Sequence, residues 1–106
     1  MKIFIVEDDL VIAESLANEL SKWNYEVHVV DNFEKIMEDF RRVEPQLVLL
    51  DINLPTLNGF HWCQEIRKVS HVPIMFISSR TDNMDQILAI QMGGDDFIEK
   101  PFNLSL

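Results

Sequence analysis

Cysteine is almost missing from this chain. Cys63 stands alone among 106 residues, so no internal disulfide can form and a reducing compartment is expected. Its neighbours Trp62 and Ile66 place it at a half-buried helical position, where packing is its simplest role. Positive charge is scarce too: nine basic residues face eighteen acidic ones, a formal net charge of −9. That balance repels a nucleic-acid backbone and offers nothing to anionic lipid, so any DNA contact must come from elsewhere. No apolar run is long enough to cross a bilayer, and the start lacks the basic and apolar regions of a secretory leader. A cytoplasmic location follows as an expectation. At this length, with 47% hydrophobic residues, a single domain with one modest core is expected and a second domain has no room.

The apolar residues that are present alternate between two periods. Residues 2 to 6 read as a buried strand, and Ile12, Leu16 and Leu20 then recur at helical spacing until Asn24 offers a stop. Val27 to Val30 is a short strand, and Asp31 with Glu34 has the spacing of a capping box for a second helix carrying Phe33, Ile36, Met37 and Phe40. After Pro45, the run Leu47 to Leu50 is apolar at every position, as in a parallel strand covered on both faces, and Asp51 ends it. Turn chemistry over 52 to 59 precedes a helix marked by Phe60, Cys63 and Ile66 that ends near Val69. Ile74 to Ile77 is a fourth strand. A helix from about Asp82 carries Met84, Ile87, Leu88 and Met92 and is stopped by Gly93 and Gly94, and Phe97 to Glu99 is the fifth strand. Five strands alternating with four helices imply an α/β fold, a doubly wound five-stranded parallel sheet with strand order 2-1-3-4-5. The alternation calls for a fifth helix after Phe102, yet the sequence ends at Leu106, so a domain shortened at its C-terminus is expected, with an apolar face left at the sheet edge.

The polar residues of interest all fall at strand ends. Glu7 and Asp8 follow the first strand, Asp51 the third, Ser78 the fourth and Lys100 the fifth. In open parallel sheets, sites form beyond the carboxyl ends of strands where the order reverses, which would bring Glu7, Asp8 and Asp51 together. Carboxylates about 4 Å apart repel by roughly 4 kcal/mol at an effective dielectric near 20, so such a group calls for a cation. Oxygen ligands of this kind select Mg²⁺, which keeps several waters and leaves positions open for a phosphoryl group. An aspartate can attack phosphorus to give an acyl phosphate when the developing charge is neutralised. Mg²⁺ would take one oxygen, Lys100 a second, and the Ser78 hydroxyl a third.

The combination of Val6-Glu7-Asp8-Asp9, Leu49-Leu50-Asp51-Ile52-Asn53-Leu54-Pro55 with Gly59, Ile77-Ser78-Ser79, and Asp96-Phe97-Ile98-Glu99-Lys100-Pro101-Phe102 resembles the receiver domain of bacterial two-component response regulators. The likeness spans almost the whole chain. It implies that residues 1–106 form a receiver domain with Asp51 as phosphoacceptor. Mg²⁺ would be held by Glu7, Asp8, Asp51 and the main-chain carbonyl of Asn53. Ser78 would be the switch hydroxyl, Lys100 the phosphate-pairing lysine and Phe97 the switch aromatic. The stretch from Gly94 to Phe102 is similar to regulators with a winged-helix DNA-binding effector, a domain not present in this chain. The implied partners are a sensor histidine kinase and a second copy through the helix 4/strand 5 region, altered by the missing last helix; no direct nucleic-acid or membrane contact is implied. Arg80 to Asp85, together with Phe97-Ile98-Glu99, is similar to the subgroup that answers cell-envelope stress such as antimicrobial peptides. Phe97 departs from the tyrosine often found at its position.

Taken one at a time, these residues have plainer readings. Glu7-Asp8-Asp9 could be a solvated loop with a helix cap, Asp51 a turn aspartate and Lys100 a surface lysine. His28, His61 and His71 read as surface or packing residues, and Trp23 and Trp62 as packing. Asn53 and Arg80, two residues beyond Asp51 and Ser78, border the expected phosphoryl group or are simply exposed. Two other functions compete with a signalling switch that is not itself an enzyme. An aspartyl phosphatase of the haloacid-dehalogenase kind would want an Asp at position 53 and its nucleophile after the first strand; a phosphorylation-independent interaction module would not need the complete set of polar residues.

Overall fold

Alternate residues of β1 (Lys2–Val6) diverge into two cores. Ile3 and Ile5 pack with Ala13, Leu16, Leu49 and Ile77 on one face, whereas Phe4 and Val6 join Ile36, Phe40, Val48, Leu50, Cys63, Ile66 and Phe76 on the other. A strand apolar on both faces has to lie between two layers of helix, and it does. The structure, a computed structural model, describes residues 1–55, 57–78, 90–91 and 93–99, with the backbone alone at 78 and 97–99. Following β1 come α1 (Leu10–Lys22), β2 (Glu26–Val29), α2 (Ile36–Val43), β3 (Leu47–Asp51), α3 (Gly59–Arg67), β4 (Ile74–Ser78) and β5 (Asp96–Glu99). The five strands are parallel in the order β2-β1-β3-β4-β5, as the sequence pattern implies.

Helix α1 covers the first face and α2 with α3 the second, each through the apolar stripe its spacing set out. Asp9 caps α1, its Oδ1 accepting from the backbone N–H of Val11 at 3.0 Å and of Ile12 at 3.4 Å. The stop at Asn24 takes the form of a left-handed residue, φ 66°. Trp23, expected to pack, is 69% exposed because it sits at the C-cap, beyond the inward stripe of Ala13 and Leu16.

The capping box expected at Asp31 does not form. Asn32 Oδ1 takes the Glu34 N–H at 3.0 Å, the donor that an Asp31 cap would need, and Lys35 N–H bonds the Asn32 carbonyl to close a turn. Helix α2 therefore starts only at Ile36, with Glu38 and Asp39 in its first turn opposite the helix dipole. The fourth helix expected from Asp82 lies outside the described residues except at 90 and 91, which are helical. Everything expected of residues 100 to 106, including Lys100 and the missing fifth helix, also lies outside them. No helix among the described residues is long and apolar enough to cross a membrane.

Asp9→Ala removes the α1 cap and is expected to cost about 1 kcal/mol of stability in urea unfolding, with Mg²⁺ affinity unchanged. An equal loss of Mg²⁺ affinity would show that Asp9 belongs to the acidic site rather than to the helix.

Candidate functional site

Strand register carries the acidic residues to one rim. Val6 of β1 lies opposite Leu50 of β3, so Glu7 and Asp51 follow at the same level, where the strand order reverses. Glu7 is 1% exposed and Asp51 4%, while Asp8 is exposed. One carboxylate oxygen from each of Glu7, Asp8 and Asp51 lies within 4.8 Å of the other two. At that spacing two negative charges repel by about 3 kcal/mol at an effective dielectric near 20, before any desolvation cost. An octahedral ion with metal–oxygen bonds of about 2.0 to 2.1 Å separates its ligand oxygens by about 3 to 4 Å, so a small adjustment would let these three share a face of Mg²⁺. All-oxygen donors on a half-open rim suit that ion and its retained waters.

The neighbouring elements hold this geometry. Glu7 Oε2 accepts the Asp9 N–H at 3.3 Å, tying the loop after β1 to the start of α1. Helix α3 begins against β3: Asn58 caps it through the His61 N–H at 3.0 Å, and the Gly59 N–H donates to the Ile52 carbonyl at 2.8 Å. A Cβ on Gly59 would run into the carbonyl oxygen of Asp51 and stand 3.0 Å from Asp51 C and Ile52 Cα. Only a residue with no side chain lets α3 start this close to Asp51. The sequence marked Gly59 as turn chemistry, but this contact is visible only in three dimensions.

Asp51 lies opposite Ile77 of β4, and Ser78, one residue beyond, lies opposite Glu99 of β5. The backbone thus brings Ser78 to the same rim, and Lys100 follows directly on β5 in the sequence. The side chains of Ser78 and Phe97, and all of Lys100, lie outside the described residues. Asn53 is exposed in the loop after Asp51. Of the residues with plainer readings, His28 stacks on Phe4 with centroids 5.6 Å apart, and Trp62 packs against the core as expected. Cys63 is wholly buried, more than its half-buried expectation, and burial raises its thiol from 9.0 to about 11, with Arg67 opposing and Asp95 adding to the shift. His61, Glu65 and Lys68 form a surface group in which Lys68 lowers the Glu65 carboxyl.

A family model described as the response regulator receiver domain matches residues 3–106. The transcriptional regulatory protein YvcP of Bacillus subtilis is 50% identical over 105 residues, covering 99% of this chain and 44% of that protein. Among solved structures, the N-terminal domain of the nisin resistance regulator NsrR, a lantibiotic response regulator, is 49% identical with a TM-score of 0.89, covering 98% of this chain and 88% of that one. The BeF₃-activated N-terminal receiver domain of RstA from Klebsiella pneumoniae is 35% identical with a TM-score of 0.92, covering 97% and 88%. The chain spans less than half the length of the curated relatives it matches.

Two outcomes are expected from this geometry. Gly59→Ala forces the Asp51 backbone or the start of α3 to move, destabilising the fold by about 1 to 3 kcal/mol and weakening Mg²⁺ binding measured by titration; wild-type affinity in a folded variant would mean the contact does not position Asp51. The Cys63 thiol stays neutral in the folded chain above pH 9, where the unfolded thiol ionises. Unfolding free energy should therefore fall as pH rises from 9 to about 11, and Cys63→Ala should flatten that part of the profile.

Proposed function

We propose, from the premise that this chain belongs to the response regulator receiver-domain family, that it is a phosphorylation-dependent switch whose acceptor is Asp51. It is a regulatory protein of a two-component system. The observation that carries the residue assignment is the convergence of Glu7, Asp8 and Asp51 just beyond the carboxyl ends of the paired strands β1 and β3.

In this reading an Asp51 carboxylate oxygen attacks the phosphorus of a histidine kinase's phosphohistidine. The P–N bond breaks as the new P–O bond forms, and the imidazole leaves. Glu7, Asp8, Asp51 and the Asn53 carbonyl would hold Mg²⁺, which would supply positive charge to the phosphoryl oxygens. Lys100 pairs with a second phosphoryl oxygen and the Ser78 hydroxyl with a third. Movement of Ser78 toward the phosphoryl group opens space for Phe97 to turn inward, changing the helix 4/strand 5 face that meets a second copy. The same site assists its own transfer and dephosphorylation, which makes the domain a participant in the chemistry without making it a metabolic enzyme.

Residues 1–106 act in this reading as the receiver part of a longer cytoplasmic transcription regulator whose winged-helix domain contacts DNA. The chain's short coverage of its curated relatives and the name of YvcP support this. Likeness to NsrR, a lantibiotic response regulator, supports a stimulus of the antimicrobial-peptide kind.

Incubation with acetyl phosphate and Mg²⁺ is expected to add one phosphoryl group by mass spectrometry. Chelation of the metal or Asp51→Asn should remove that uptake. Wild-type uptake by Asp51→Asn would move the acceptor elsewhere.

A further inference from the structure

At the opposite end of the sheet from the acidic rim, one guanidinium gathers three segments of chain. Arg67, the last residue of α3, donates from Nε to the Gly93 carbonyl at 2.8 Å and from Nη1 to the carbonyls of Val72 at 2.7 Å and Ser70 at 3.4 Å. Its Nη2 meets Asp95 Oδ2 at 2.9 Å. That same carboxylate oxygen accepts the Ile74 N–H at 2.7 Å, while the Asp95 N–H donates to the Ile74 carbonyl at 2.8 Å. Asp95 and Ile74 therefore close a two-bond ring just where β4 and β5 begin to pair. Gly93, at φ +99°, makes room: a Cβ there would stand 2.9 Å from Arg67 Cγ.

Only a short run of pairing follows, Met75 opposite Asp96 to Ser78 opposite Glu99. In a four-residue edge strand few pairs set the register, and a slip of one residue turns every side chain to the other face. We propose that Arg67 and Asp95 pin the register of β5, making Arg67 a positioning residue that acts through Lys100. This rests on the reading above, in which Lys100 pairs with the phosphoryl group. Lys100 directly follows β5, so the register at Asp95 sets where the lysine is delivered. Glu7, Asp8 and Asp51 belong to β1 and β3 and their loops, so they do not depend on the pin.

Phosphorylation of the whole chain by acetyl phosphate tests this, with Mg²⁺ affinity and thermal unfolding measured on each variant. Lys100→Ala is expected to slow uptake on the order of 10²-fold, as loss of a charge-stabilising group does. Arg67→Gln should slow it about tenfold with Mg²⁺ affinity within twofold of wild type, and should add little in a Lys100→Ala background. Arg67→Lys, which restores charge without the planar fork, should rescue only in part. Additive losses, or a parallel fall in Mg²⁺ affinity, would overturn the proposal by showing a general structural role. If Lys100→Ala phosphorylates at the wild-type rate, the lysine reading fails on its own, and hydrogen exchange of Arg67→Gln then decides the pin. Faster exchange confined to residues 70–74 and 93–99 supports it, and unchanged or uniformly faster exchange overturns it.

Discussion

Crowding of like charge at the end of buried strands is the constraint on which this molecule turns. Glu7 and Asp51 are almost without solvent, and Asp8 stands beside them with all three oxygens inside 4.8 Å. Two of the three carboxylates are held away from water, so charge placed beside them acts strongly on the group. Three oxygen donors in this arrangement are chemically suited to a small hard cation. A cation bound there would offset repulsion among the carboxylates, which would tie occupancy of the rim to stability of the strands that form it.

That arrangement depends on apolar packing that has no chemistry of its own. The register of β1 with β3 sets Glu7 level with Asp51, and the register is held because Phe4, Val6, Val48 and Leu50 fill one core while Ile3, Ile5 and Leu49 fill the other. A slip by one residue would exchange the two sets and take the carboxylates apart. Gly59 adds a steric condition, since α3 approaches the Asp51 carbonyl more closely than any side chain permits. Position, burial and charge at the rim are thus consequences of one packing solution.

Much of this was legible in the order of residues because the signals were local and periodic. The all-apolar run Leu47 to Leu50 announced a strand covered on both sides, and acidic residues after two such runs marked the rim. What stayed hidden was competition between neighbours and contact between distant segments. Asp31 and Glu34 had the spacing of a cap, but Asn32 reached the same N–H first through a tighter turn. Trp23 looked like packing material, yet its place one residue past the helix turned it to solvent. Arg67 and Asp95 lie 28 residues apart with no periodicity to join them, and nothing short of the folded sheet shows that they share one carboxylate oxygen with Ile74.

The two ends of the sheet solve opposite problems. At the carboxyl ends, three carboxylates are packed close together. At the amino end of β4 and β5, one cation donates to three carbonyls and a carboxylate, so donors and acceptors match. Arg67 is 21% exposed but Asp95 58%, so solvent screens the ion pair itself, and the contribution of the guanidinium lies in its planar fork, which fixes direction as well as distance. The bonds at Arg67 and Asp95 hold the amino ends of β4 and β5 together in position and register. The carboxyl ends of the same two strands, where Ser78 stands opposite Glu99, reach the rim instead, so one pairing of β4 with β5 joins the tied end of the sheet to the acidic one.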